Sequence, residues 1–182
     1  MNPLILFSIV YVAPLVAGTI AITTFAKNQK FAAIHIILGV SIIVSMVLAD
    51  QNGISIPFGS VWSLGLLIAA MLFAAWQIGW LGVLYTGSSF LQEFFMALAA
   101  LFLLQEFSPF VVIPVIAIPF GVSHIRGFRN NKIVIPALIL FGLFIVGVFI
   151  LTRDPLICAT IHAIVGSVGA KRGYFRPAPE PL

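Results

Sequence analysis

Four ionisable side chains lie inside long apolar stretches of the sequence, where such groups are rare and informative. They are Glu93, His35, His124 and His162. A carboxylate inside a membrane helix is costly unless it is protonated, paired or in contact with water, whereas a histidine can stay neutral. We interpret His35 as a packing residue. A carboxylate with two imidazoles on nearby helices can hold a water molecule, a metal ion or a porphyrin, and spacing alone does not choose among them.

The chain that carries these side chains is too apolar for a water-soluble domain. Of its 182 residues, 62% are hydrophobic and 8% are charged, against about 25% charged in an average soluble domain. So few charges cannot cover a soluble surface, which excludes a soluble enzyme, a nucleic-acid-binding domain and a disordered chain. The single cysteine, Cys158, excludes an intrachain disulfide and a CxxC metal or redox site.

The apolar stretches predict an all-α polytopic membrane protein, because about 20 apolar residues suffice to cross about 30 Å of hydrocarbon. Seven spans are predicted, at 3–26, 31–49, 61–85, 90–104, 109–124, 133–151 and 155–170. We expect one transmembrane domain over 1–182, with three spans in 1–85, a second half in 86–170 and a cytoplasmic tail at 171–182. Tyr11 and Tyr85 fall near predicted span ends, where aromatic rings favour the membrane interface.

The cations provide an orientation for these spans. When alternate loops are placed on alternate sides, eight cations fall on one side and only Arg153 falls on the other. The eight are Lys27, Lys30, Arg126, Arg129, Lys132, Lys171, Arg172 and Arg176. Because positive residues gather in cytoplasmic loops, we expect the N-terminus outside and the C-terminus in the cytoplasm, in a prokaryotic inner (plasma) membrane.

Three short motifs stand on successive predicted helices of the second half. Phe120 to His124 reads FGVSH, His162 to Gly166 reads HAIVG, and Gln92 to Ala97 reads QEFFMA. In chain order, QEFFMA, FGVSH and HAIVG resemble the EExxxR, FxxxH and HxxxN motifs of the CPBP family, the CAAX-protease and bacteriocin-processing (Abi) family of intramembrane glutamic endopeptidases. The resemblance covers roughly 86–170 and implies a CPBP-like four-helix core there.

The resemblance also implies roles for these positions. Glu93, His124 and His162 would be the catalytic set, in which a glutamate activates the attacking water and the histidines orient water and stabilise the oxyanion. Phe120 belongs to the second motif. The substrate would be a membrane-associated peptide that enters a cavity between helices.

The departures from the family pattern affect the groups that the chemistry needs most. The family's first glutamate falls on Gln92, whose carboxamide is no general base. The family's arginine falls on Ala97, and its final asparagine, a donor to the oxyanion, falls on Gly166. Two other arrangements could restore a base. Glu93 could act as the base if the helix register shifts by one residue, or Glu106 could enter the site from the far end of the helix.

Three functions follow from these observations. The first is a catalytically degenerate CPBP-like protein that acts as a binding, scaffold or accessory subunit of a membrane assembly, and we favour it because the base, the arginine and the asparagine are lost together. The second is an active intramembrane endopeptidase. The third is a subunit that ligates haem or a chlorophyll-type pigment through His124, His162 or His35. We predict no cofactor and no metal site, and expect lipid and other membrane subunits, but no nucleic acid, as partners.

Overall fold

The computed structural model describes residues 2–24, 27–123 and 134–174. Every regular element within those ranges is a helix, so the predicted all-α class is confirmed. In chain order the elements are α1 (Pro3–Phe7), a π-helical turn (Ser8–Val12), α2 (Ala13–Thr24), α3 (Lys27–Gln51), α4 (Val61–Ile78), α5 (Trp80–Leu103), α6 (Pro109–Ser123), α7 (Val134–Thr152) and α8 (Pro155–Lys171).

Four of these helices are long and apolar enough to cross a membrane, which supports the predicted membrane protein. They are Ala32–Gln51 within α3, and the whole of α4, α5 and α7. Three further apolar segments are shorter, at Leu4–Gly18, Pro109–Val122 and Pro155–Lys171. A helix of 15 residues reaches only about 22 Å, short of the hydrocarbon thickness of about 30 Å. The predicted count of seven spans is therefore not confirmed.

The break between the third and fourth predicted spans lies at Gly79, and not between 85 and 90. Gly79 has a φ of 66° and a ψ of −150°, and α5 begins at the next residue. Residues with a Cβ are strained at positive φ, so a glycine permits this sharp turn. Hydropathy alone misses the turn because both sides of it are apolar. The predicted limit between 1–85 and 86–170 thus falls inside α5.

The helix α5 lies at the centre of the fold. It packs against α3, α4 and α8, and it also touches α1, α6 and α7. Over its most apolar 18-residue window, 72% of its residues are buried, against 17 to 22% in the other three long helices. The polar side chains of Thr86, Ser89 and Glu93 on α5 are therefore enclosed by the surrounding helices.

Local sequence signals position the helices that pack against α5. At the start of α4, Ser60 and Ser63 form a reciprocal capping box, which satisfies two backbone donors at the helix end. At the start of α8, the buried Asp154 carboxylate accepts hydrogen bonds from the backbone N–H groups of Leu156 and Ile157, and Pro155 occupies the first turn. The two-residue connection from α7 to α8 is thereby held in a defined geometry.

Tyr11 is a correction to the sequence prediction, because it is buried and does not lie at a membrane interface. The π-helical turn carries its ring into the interior, where it stacks between Phe7 and Phe95. Its hydroxyl donates to the backbone carbonyl of Ile116 at 2.6 Å. This hydrogen bond connects the π-helical turn to α6, which contains Pro114 and Pro119. The two irregular helices thus meet at one hydrogen bond.

Candidate functional site

A buried carboxylate–imidazole pair joins the centres of two helices. Nδ1 of His162 on α8 and Oε1 of Glu93 on α5 form a hydrogen bond of 2.6 Å. Glu93 is 2% exposed and His162 is 8% exposed. This hydrogen bond gives a polar atom of each buried side chain a partner, which an apolar interior requires. The structure therefore brings together two of the three residues predicted for a catalytic set.

Three aromatic rings surround the imidazole of His162. Tyr85 on α5, Phe120 on α6 and Phe141 on α7 each present a ring at a steep angle to it, with centroid separations of 5.9, 6.2 and 5.4 Å. Edge-to-face packing of this kind is a favoured arrangement of aromatic groups. Phe120, which was singled out by the second motif, thus belongs to the wall around His162.

Tyr85 fills the space above Gly166 in α8. A Cβ added at Gly166 would collide with the hydroxyl and ring carbons of Tyr85. The position at which the family pattern has an asparagine is therefore occupied by a ring from the neighbouring helix. Tyr85 lies five residues after Trp80, the first residue of α5. No spacing signal in the sequence connects Tyr85 to Gly166.

A small gap lies on the other side of Glu93. Ala97 and Met96 of α5 line it together with Ile145, Val146 and Phe149 of α7. The space between these side chains leaves no volume for a water molecule. Apart from Glu93 itself, the lining side chains are apolar. On this side the Glu93 carboxyl group therefore faces apolar side chains and not a hydrated cavity. Ala97 is the position at which the family pattern has an arginine.

The other residues predicted for the site lie away from the Glu93–His162 hydrogen bond or outside the described residues. Gln92 lies one residue from Glu93 on the regular helix α5 and is only partly buried, and one step turns the side chain by about 100°. Glu93 reaches His162 from within the continuous helix α5. Glu106 is exposed, beyond the end of α5. His35 is partly buried in α3. His124 lies outside the described residues.

The chemistry open to this arrangement is limited by its enclosure. A glutamate bonded to a histidine can act as a proton acceptor if water reaches it, or it can serve as a polar contact between two helices. Within the ranges that the structure describes, no group of three or more His, Cys, Asp or Glu side chains is arranged to hold a metal ion.

Comparison of this chain with family models, curated proteins and solved structures finds no match. The resemblance to the CPBP family therefore stays a prediction from the three motifs.

Proposed function

We propose that this protein is a CPBP-like integral membrane protein that has lost catalysis and acts as a binding, scaffold or accessory subunit of a membrane assembly. The observation that carries this proposal is the enclosure of the Glu93–His162 pair. Three rings pack around the imidazole, and the gap beside the carboxylate has no room for water. A hydrolytic site needs a water molecule and a peptide carbonyl next to its base, and neither fits into a gap of this size.

In this proposal the Glu93–His162 hydrogen bond stabilises the packing of α5 against α8. A buried carboxylate without a partner is strongly unfavourable, so the hydrogen bond favours one relative position of the two helices. A polar contact of this kind defines how the helices pack and leaves the outer faces of the bundle free to bind other subunits. The replacement of the family's first glutamate, arginine and asparagine by Gln92, Ala97 and Gly166 agrees with such a role.

The proposed setting is a prokaryotic inner membrane, with the N-terminus outside and the C-terminus in the cytoplasm. Its support is the distribution of cations in the sequence, eight against one between the two sides. Cysteine-specific labelling of intact cells at Asn2→Cys tests the orientation, because Cys158, the only native cysteine, is buried. Labelling of that position by a membrane-impermeant reagent is expected, and its protection would contradict the orientation.

The native mass and absorption spectrum of the protein test the proposed function most simply. The protein is purified in mild detergent from cells that express it at its native level. We expect it to elute with other membrane proteins at a fixed stoichiometry and to lack a visible absorption band. A band in the visible range would favour the haem or chlorophyll-type pigment alternative, while a solitary and colourless protein would contradict the subunit proposal.

An active intramembrane endopeptidase is the second candidate, and the Glu93–His162 hydrogen bond favours it. Glu93 would accept a proton from a water molecule that attacks a peptide carbonyl, and His162 would orient the carboxylate. A library of membrane-anchored peptides, reconstituted with the wild type, Glu93→Gln and the matched control Glu106→Gln, tests it. Cleavage that is lost only in Glu93→Gln would establish the protease, and the absence of cleavage by the wild type agrees with the subunit proposal.

A further inference from the structure

One face of α4 carries a continuous row of exposed apolar side chains. Leu64, Ile68, Leu72 and Trp76 follow one another at intervals of four residues, and each is at least 48% exposed. Side chains four residues apart lie one above the other on a helix, so this α4 row extends about 18 Å. The hydrocarbon of one membrane leaflet is about 15 Å deep. The α4 row therefore has the length and the apolar character to lie along one acyl chain.

Two cations stand at the Trp76 end of the α4 row. Helices α4 and α8 begin side by side, because a Cβ added at Gly59, just before α4, would collide with the side chain of Asp154, just before α8. They also end side by side, since the ammonium group of Lys171 lies 5.0 Å from the ring centroid of Trp76. Arg172 follows at the end of α8, and both cationic side chains are exposed. The α4 row thus leads directly to a basic end.

The described carboxylates do not neutralise these two cations. Neither Lys171 nor Arg172 forms an ion pair with any residue that the structure describes. Apart from the buried Glu93, the described carboxylates lie at the opposite end of the bundle, where α3, α5 and α7 end and α8 begins. They are Asp50, Glu106 and Asp154. The charge at the Trp76 end therefore favours an anionic ligand, and the opposite end does not share this preference.

We propose that the α4 row and the cations at its end bind an anionic phospholipid, with one acyl chain along α4 and the phosphate at Lys171 and Arg172. Trp76 stands between the two parts, at the level where tryptophan favours the membrane interface. Each lysine or arginine near the surface attracts anionic lipid by an amount equivalent to about a fivefold preference. This site is independent of the Glu93–His162 pair and of any catalytic role for it.

The native tryptophans of α4 can report which lipid lies at each end of the helix. Trp62 and Trp76 are both exposed and lie near opposite ends of α4. One protein keeps Trp76 alone, with Trp62→Phe and Trp80→Phe, and the matched control keeps Trp62 alone, with Trp76→Phe and Trp80→Phe. Each is reconstituted in phosphatidylcholine vesicles that contain brominated phosphatidylglycerol or brominated phosphatidylcholine, and the quenching of fluorescence is measured at increasing fractions of the brominated lipid.

We expect phosphatidylglycerol to associate at Trp76 at least about fivefold more strongly than phosphatidylcholine does, and to show no preference at Trp62. Lys171→Gln combined with Arg172→Gln should remove the preference at Trp76. The matched control Arg153→Gln removes an exposed cation at the opposite end of α8, and should leave the preference unchanged.

Equal quenching of Trp76 by both lipids would reduce the α4 row to ordinary bilayer contact and overturn the proposal. A preference that survives the loss of Lys171 and Arg172 would also overturn it, as would quenching by neither lipid, because protein would then cover the row. If the double variant does not fold, salt provides a second readout on the protein that keeps Trp76 alone. Salt at 1 M shortens the screening length to about 3 Å and should lower the preference, and a preference that salt does not change would contradict the proposal.

Discussion

The neighbouring helices α4 and α5 have similar compositions but opposite places in the fold. Both are apolar and long enough to span a membrane, yet over the most apolar 18 residues 17% of α4 is buried against 72% of α5. The difference lies in their few polar residues. The central helix α5 carries Glu93, which is bonded to His162, while α4 presents Trp62 and Trp76 on its exposed surface. In this protein a polar group therefore identifies the inner helix better than hydropathy does.

The largest effect is expected from truncating a leucine on each of these two helices. Leu98 of α5 is 1% exposed and Leu72 of α4 is 63% exposed. Leu98→Ala leaves a cavity that its rigid neighbours cannot fill, and should lower the free energy of unfolding by about 3 kcal/mol. Leu72→Ala serves as the control, because lipid or detergent chains can fill the space that it leaves. Unfolding in mixed micelles measures both, and equal losses would show that α5 is not the inner helix.

The contact between α4 and α5 should be the next most sensitive point. A Cβ at Gly82 of α5 would collide with the backbone of Ala74 in α4, and a backbone cannot move aside as a side chain can. Gly82→Ala should therefore lower the free energy of unfolding by about 2 kcal/mol. The matched control is Gly87→Ala in the same helix, where a Cβ meets nothing within 4 Å. A destabilised control or a neutral Gly82→Ala would contradict the close packing of these helices.

The contact of α5 with α8 at Gly166 should respond in a different way. Gly166→Ala forces the ring of Tyr85 away from α8, and should cost about 1–2 kcal/mol by overpacking. The obstacle is a side chain, so Tyr85→Leu should remove most of the additional loss in the double variant. Thermal unfolding of the two single variants and the double variant measures this compensation. Independent, additive losses would mean that Tyr85 does not fill the space above Gly166.

The smallest effect is expected where α4 meets the end of α8. The ammonium group of Lys171 lies 5.0 Å from the ring centroid of the exposed Trp76. A cation–π contact at an exposed site contributes about 0.5–1 kcal/mol. Lys171→Gln should lower the free energy of unfolding by that amount when Trp76 is present, and should not lower it in a Trp76→Leu background. Retention of charge in Lys171→Arg is the control, and a loss in that variant equal to the loss in Lys171→Gln would argue against the contact.

Sequence patterns predicted the positions of most helices because runs of high hydropathy mark the segments that can be buried in lipid or protein. The predicted run 31–49 lies within α3 (Lys27–Gln51), and the run 155–170 nearly coincides with α8 (Pro155–Lys171). The turn at Gly79 was missed because apolar residues continue through it. The lengths of the helices also differ from the lengths of the predicted spans. Proline, glycine and capping residues end a helix independently of its hydropathy.

The candidate site was predictable in part. Glu93 and His162 could be singled out because ionisable groups are rare in apolar runs, and the structure joins them. The surrounding rings could not be identified, because Tyr85 and Phe141 do not differ in sequence from the many other aromatic residues of the chain. The inner position of α5 was also hidden, since apolar residues that face lipid and those that face protein have the same composition.

The central claim is that Glu93 and His162 stabilise the fold as a pair. A double-mutant cycle with Glu93→Leu, His162→Leu and the double variant tests it most directly, through the free energy of unfolding in mixed micelles. Each single variant leaves a buried polar partner without its hydrogen bond, whereas the double variant leaves none. We predict that the double variant is more stable than the sum of the single losses implies, by about 1–3 kcal/mol. Additive losses, with no coupling between the two positions, would contradict the account.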